Sequence, residues 1–364
     1  MKKGKEKHIF PGNNTPVGFY SYYQYILPQE EANHIFCLKG GPGVGKSTFM
    51  KTAGNRMQER GFSVEYLHCS SDPDSLDGVV IPKIHVALID GTAPHVVDPI
   101  NPGAVDEIIN LGDYWDRDGI KQNKENVMKI NGEVGRLFKR AYKYIAAARF
   151  LMDDVIEIYE RATEESGAII EAEIVINREL NRNTVRKFGK ERKQFASAIT
   201  PDGVLQYLDT LFDKSYHIYS IKNNWGVGVH NLLKRIADEA VKRGIDAELY
   251  YCPMRPEEKV EHVIIPELGL AFISESIHYD VPMEDFTEID LDQYLNEESL
   301  KNYREFIEFG SKNSRMLLDE GIATLNKAKK MHDDMEEYYI PYMDFDKENE
   351  KLEEILSLIL KYEK

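Results

Sequence analysis

The stretch HIFCLKGGPGVGKSTFMKT, residues 34–52, decides the fold of this chain. His34 to Lys39 is a short β-branched and aromatic run, and Gly40 to Gly45 is a glycine-rich loop. Lys46 to Arg60 has the composition of a helix that ends at Gly61, a residue suited to the position just past a helix. A strand that turns through glycines directly into a helix is the opening of a βα unit. Ser63 to Cys69 then reads as a second strand, and Ile84 to Asp90 as a third, apolar and ending in a carboxylate. Strands alternating with helices predict a parallel sheet covered on both faces.

The same unit occurs twice. HIYSIKNNWGVGVHNLLKR, residues 217–235, repeats the register of residues 34–52. Outside the loop, Thr15, Pro16 and Gly18 answer to Thr200, Pro201 and Gly203. The segment ERGFSVEYLHC (59–69) lies against KRGIDAELYYC (242–252), and VVIPKIHVALID (79–90) against HVIIPELGLAFIS (262–274). Roughly a quarter of the aligned positions are identical, in a constant order, which points to duplication rather than two unrelated βα units. The boundary falls near residue 190, in the basic stretch NRNTVRKFGKERK, and predicts domains at 1–190 and 191–364.

Each copy closes with a long helical arm. In the first, Val134, Phe138, Ala141, Ile145, Ala148, Met152, Val155 and Tyr159 recur at spacings of four and three, the seam of one helix lying lengthwise on another. The second carries Tyr303, Ile307, Gly310, Ser314, Leu317, Gly321, Thr324, Ala328, Met331, Met335 and Tyr338 at matching spacings, and its small residues predict close helix approach. Pro341 and the charged run after it read as a turn before a last amphipathic helix, Leu352 to Leu360. These stripes serve packing; a protein partner or self-association through the arms is the alternative.

Composition narrows the classes. The 364 residues, 42% hydrophobic and 30% charged, suit a globular protein with room for two cores. A net charge of -16 opposes non-specific binding to nucleic acid, whose affinity comes from cationic neutralisation of phosphates. Cys37, Cys69 and Cys252 have no spacing of a disulfide framework or a zinc site, and no export signal or membrane-spanning run is read, so the cytoplasm is the expected compartment.

The loop Gly40, Gly41, Pro42, Gly43, Val44, Gly45, Lys46, Ser47 fits G-x-x-x-x-G-K-[ST] between a strand and a helix. Glycines let backbone wrap closely round phosphate oxygens, and successive N–H groups at a helix N-terminus form an anion-binding nest. Lys46 is placed to bridge the β- and γ-phosphates, Ser47 to coordinate Mg²⁺, and Thr48 to reach the α-phosphate side. The segment resembles the Walker A motif of P-loop NTPases, and Val86 to Asp90 resembles their Walker B strand. By that resemblance Asp90 holds Mg²⁺ through water; a turn cap after the strand is the alternative. The tandem arrangement is similar over nearly the whole chain to an uncharacterised bacterial family of duplicated P-loop ATPase-like proteins, known as ATP-binding by motif. The expected fold is therefore α/β, two tandem P-loop NTPase-like units each followed by helical arms.

The segment SSDPDSLDG offers Asp72, Asp74 and Asp77 near the end of the second strand, where Asp72 or Asp74 would orient water or accept a proton; ordinary turn chemistry is the other reading. Asn326-Lys327-Ala328-Lys329 lacks the carboxylate that reads guanine in Asn-Lys-x-Asp, so ATP is preferred over GTP. In the second copy Gly40 and Gly41 become Asn223 and Asn224, Pro42 becomes Trp225, Lys46 becomes Val229, Ser47 becomes His230, and Asp90 becomes Ser274. Valine cannot neutralise phosphate and histidine is a poor Mg²⁺ ligand, so only the first copy is expected to work. The expectation is an ATP-binding protein, a slow Mg²⁺-dependent ATPase or switch. A small-molecule kinase with Arg178 to Lys193 as lid, or an adaptor that binds nucleotide without turnover, are the alternatives. Lys234, Arg235 and Arg255 stand as candidate cationic fingers from the silent copy.

Overall fold

The computed structural model describes residues 2–92, 97–180, 187–278 and 285–363. The first copy runs β1 (Glu6–Ile9), β2 (Gly12–Thr15), β3 (Gly18–Ser21), β4 (His34–Lys39), α1 (Lys46–Glu59), β5 (Val64–Cys69), β6 (Asp72–Ile81), β7 (Val86–Asp90), β8 (Asp106–Asn110), α2 (Arg117–Gln122), α3 (Lys124–Ala162) and α4 (Ser166–Glu179). The second runs β9 (Glu191–Gln194), β10 (Ser197–Thr200), β11 (Gly203–Gln206), β12 (His217–Lys222), α5 (Val229–Lys242), β13 (Ala247–Cys252), β14 (Arg255–Ile265), β15 (Leu270–Ser274), β16 (Phe286–Asp290), α6 (Glu297–Leu300), α7 (Arg304–Glu336) and α8 (Phe345–Ile359).

Two six-stranded sheets result, ordered β1-β5-β6-β7-β4-β8 and β9-β13-β14-β15-β12-β16. Strand for strand they are the same sheet. The expected all-parallel arrangement is corrected in one respect: β6 runs antiparallel to both β5 and β7, and β14 does the same in the second sheet, so each sheet is mixed. The physical reason lies in the segment read as an acidic loop. Asp72 to Ile81 is a strand whose second half, Leu76 to Ile81, is continuously buried, and irregular pairing around His68 lets it fold straight back on β5.

The helix α1 opens at Gly45 and closes as the sequence predicts. Gly61 N–H bonds to Gln58 O at 2.9 Å and Phe62 N–H to Met57 O at 3.2 Å, the Schellman pattern; α5 ends the same way through Gly244 and Ile245.

The chain divides into two compact units that interleave the copies. One comprises Met1–Asn13, Ser21–Arg140 and Ala323–Lys364, the other Asn14–Tyr20 and Ala141–Ile322. In the first unit the glycine-loop helix α1 packs against α8, which belongs to the second copy's arm, and Leu352, Ile355, Leu356 and Ile359 join Phe49, Met50 and Leu88 in one core. In the second unit α5 packs against α4 from the first copy's arm.

Local pairings repeat with a fixed offset. In the first unit Trp115 bridges Met343, Asp116 N–H bonds to Tyr342 O and Asp344 N–H to Tyr114 O. In the second, Leu295 bridges Thr163, Asn296 N–H bonds to Ala162 O and Glu164 N–H to Tyr294 O. Residues 163 and 343 are thus equivalent positions of the two arms.

The small residues of the seam do what their size allows. A Cβ on Gly310 would lie 2.5 Å from Val155 Cγ2, and one on Gly321 2.9 Å from Ile145 Cγ1, so α7 and α3 touch backbone to side chain there.

Candidate functional site

The loop between β4 and α1 is built by its glycines. Gly43 and Gly45 adopt φ of 66° and 87°, left-handed conformations that an L-residue resists, and Gly45 caps α1. Val44 is buried beneath the loop and fixes it on the sheet. Within this turn the Lys46 ammonium bonds to Gly41 O at 2.8 Å and Gly40 O at 3.3 Å, and stands 3.8 Å from Asp90 Oδ2. Both side chains are largely shielded, so this pair of opposite charges sits where water screens it little.

The other expected residues distribute as follows. Ser47 Oγ accepts the N–H of Leu76 at 3.1 Å, which ties α1 to β6. Thr48 is exposed at the start of the helix and Pro42 is partly exposed in the loop. Asp90 Oδ1 accepts the N–H of Thr92 at 2.8 Å and its hydroxyl at 2.5 Å, so this carboxylate does act as a turn cap while its other oxygen faces Lys46.

Of the three aspartates read as a loop, all lie in β6. Asp72 accepts the Ser75 hydroxyl and lies 3.4 Å from Lys329, Asp74 is exposed, and Asp77 is buried. Burial and the neighbouring Asp77 hold both the Tyr23 hydroxyl and the Cys69 thiol well above their ordinary pKa, so these groups stay neutral.

Sequence reading missed the residues that cover the loop. Tyr339 and Trp115 rings lie where a Cβ on Gly41 would sit, at 3.0 and 3.2 Å; Ile340 and Glu336 do so at Gly43. Gly43 donates its N–H to Glu336 Oε1 at 3.2 Å. The Glu348 carboxylate fills the space beside Gly45, its oxygens 2.3 and 2.5 Å from where a Cβ would be, and burial pushes its pKa up to about 7. Glu336, Tyr339, Ile340 and Glu348 are some 290 residues or more from the loop in sequence (336 against 43), and no linear pattern joins them.

The second loop keeps the backbone and changes the chemistry. Trp225, Gly226 and Gly228 have φ of 57°, 75° and 78°, and Gly228 caps α5. His230 Nδ1 accepts the N–H of Val260 at 3.2 Å, as Ser47 accepts that of Leu76, and burial depresses the His230 pKa. Ser274 pairs beside Ile221 as Asp90 pairs beside Leu38, and is buried. The Lys259 ammonium, from β14, lies against Gly226.

A cavity of about 510 Å³ opens beside Gly228 and Asn231, and Glu157, Glu160, Glu164 and Glu165 line it with Arg161 as a cation. That lining repels phosphate. The proposed cationic fingers are engaged inside their own unit: Lys234 with Glu191 at 2.8 Å, Arg235 with Glu173, and Arg255 with Asp153. Of the basic stretch Arg178 to Lys193, residues 181–186 lie outside the described residues, and Glu191 to Lys193 enter β9.

No helix among the described residues is long and apolar enough to cross a membrane, and none of them group as three or more metal-ligating side chains. No protein-family model, curated protein or solved structure matches the chain. What stands is an α/β protein of two like mixed sheets, with one lysine-bearing glycine loop and one without.

Proposed function

We propose that the protein binds ATP with Mg²⁺ at the loop Gly40 to Thr48 and turns it over slowly, as a nucleotide-dependent switch with one working site. The observation that supports this most is the placement of Lys46 and Ser47 at the N-terminus of α1, directly after a left-handed glycine turn, with Asp90 3.8 Å from the Lys46 ammonium. Amides and ammonium there suit phosphate oxygens. Ser47 Oγ and the Asp90 carboxylate are hard oxygen donors and fit Mg²⁺, which keeps most of its shell as water and phosphate oxygen and so needs few protein ligands. Bound there, Mg²⁺ would neutralise charge on the phosphates.

Lys46 would leave the carbonyls of Gly40 and Gly41 for the phosphates, and Asp90, held by Thr92, would keep its orientation while doing so. The acidic cavity at the second loop and the loss of its lysine support one site rather than two. A titration with ATP and GTP in Mg²⁺, followed by phosphate release, tests the reading. Binding of ATP with slow release is expected; no binding of either nucleotide, with the arm contacts intact or removed, overturns it. Release that depends on an added hydroxyl-bearing metabolite would transfer the site to a kinase.

A further inference from the structure

We propose that the end of the second arm is an internal plug for this site, in which the Glu336 carboxylate takes up the Gly43 amide of the glycine loop, and Glu348 covers Gly45, until nucleotide displaces them. The inference rests on the reading of the loop as a phosphate site. Its geometry is direct. Glu336 Oε1 accepts the Gly43 N–H, the kind of bond a phosphate oxygen would otherwise make, and Glu348 packs its carboxylate on Gly45, the residue that begins α1. Tyr339 and Ile340, between them, press on Gly41 and Gly43. Lys46 is meanwhile turned to backbone carbonyls.

The two arms differ where this idea requires. With residues 163 and 343 equivalent, Ile156 answers to Glu336 and Ala168 to Glu348. Ile156 lines the cleft at Gly226, and the Ala168 methyl lies 3.2 Å from where a Cβ on Gly228 would be, so the second loop is covered from the same positions by apolar side chains. Its amide at Asn224 bonds instead to Asp292, from the segment after β16, a place held in the first copy by Gly112. At these two equivalent positions the arm sets carboxylates against the loop that kept its lysine and serine and apolar side chains against the other, whose neighbouring cavity is lined by acidic residues from elsewhere on the first arm.

Glu348 is buried, and burial pushes its pKa up; this is an unfavourable place for a carboxyl, one that packing alone would fill with an apolar residue, as Ala168 does. If the arm is closed nine-tenths of the time, apparent affinity falls about tenfold.

The test is binding of sodium triphosphate and of Mg²⁺-ATP to the full chain and to Glu336→Ala, with Glu336→Gln as the milder variant and thermal melting as the folding control. The plug requires both ligands to bind Glu336→Ala about tenfold or more tighter than the parent. Equal affinity for parent and variants overturns the plug and leaves the nucleotide site standing. Failure of both ligands on every variant overturns the plug and the site together.

Discussion

The Lys46 ammonium stands 3.8 Å from the Asp90 carboxylate, across the boundary between the glycine turn and the end of β7. The pair joins the start of α1 to the end of β7, residues 44 positions apart in sequence that meet because β4 and β7 are hydrogen-bonded neighbours in the sheet. On the reading proposed above, ATP and Mg²⁺ would insert between charges that now face each other.

Asp90→Asn keeps an oxygen for Thr92 and removes the charge. Its melting temperature should stay near the parent's, while the Mg²⁺ concentration needed for half-maximal ATP turnover rises roughly 10–100-fold. Unchanged Mg²⁺ dependence would return Asp90 to a purely structural cap.

Gly45→Ala places a side chain at φ 87° and into the Glu348 carboxylate. Denaturant unfolding should report a loss of about 1–3 kcal/mol. Gly228→Ala, at φ 78° and with only the Ala168 methyl at 3.2 Å, should lose less.

Glu348 gives a pH signature. Its folded pKa of about 7 lies above the ordinary 4.5, so the folded state holds this proton more tightly than the unfolded one. Its contribution to stability is complete below the ordinary value and is lost as pH rises from there through the folded value. Buried His262 and half-buried His68 and His278, each depressed to about 4, act in the opposite sense, losing stability as pH falls below the ordinary 6.5. The measurement is therefore a difference: the melting temperature of the parent relative to Glu348→Gln should fall between about pH 5 and about pH 8. A flat difference would contradict burial of the carboxyl.

Gly310→Val drives a branched side chain into Val155 on α3. A loss of about 1–3 kcal/mol in unfolding free energy is expected. The neighbouring exposed change Lys312→Ala should leave stability close to the parent's.

The legible parts of this fold were those encoded locally. The glycine turn between β4 and α1, the Schellman end at Gly61 and the buried stripe Ala141, Ile145, Ala148, Val155 each follow from residues a few positions apart. The repeat was legible too, in Thr15, Pro16 and Gly18 against Thr200, Pro201 and Gly203, and the two sheets keep it, with Ile221 paired to Ser274 as Leu38 is to Asp90. Two features were not. Asp72-Pro73-Asp74-Ser75 has the chemistry of a turn, and only the buried run from Leu76 makes it the start of β6. The coverage of Gly43 by Glu336 and of Gly45 by Glu348 depends on which arm reaches which loop, and helical periodicity says which face is buried without saying against what.

The central claim is that one working nucleotide site survives in a duplicated chain. Equilibrium binding of Mg²⁺-ATP, measured as nucleotide bound per chain at saturation in the parent, Glu336→Ala and Lys46→Ala, addresses it directly. The account predicts one nucleotide per chain in the first two and none in Lys46→Ala. Two per chain, or binding that survives Lys46→Ala, would contradict it.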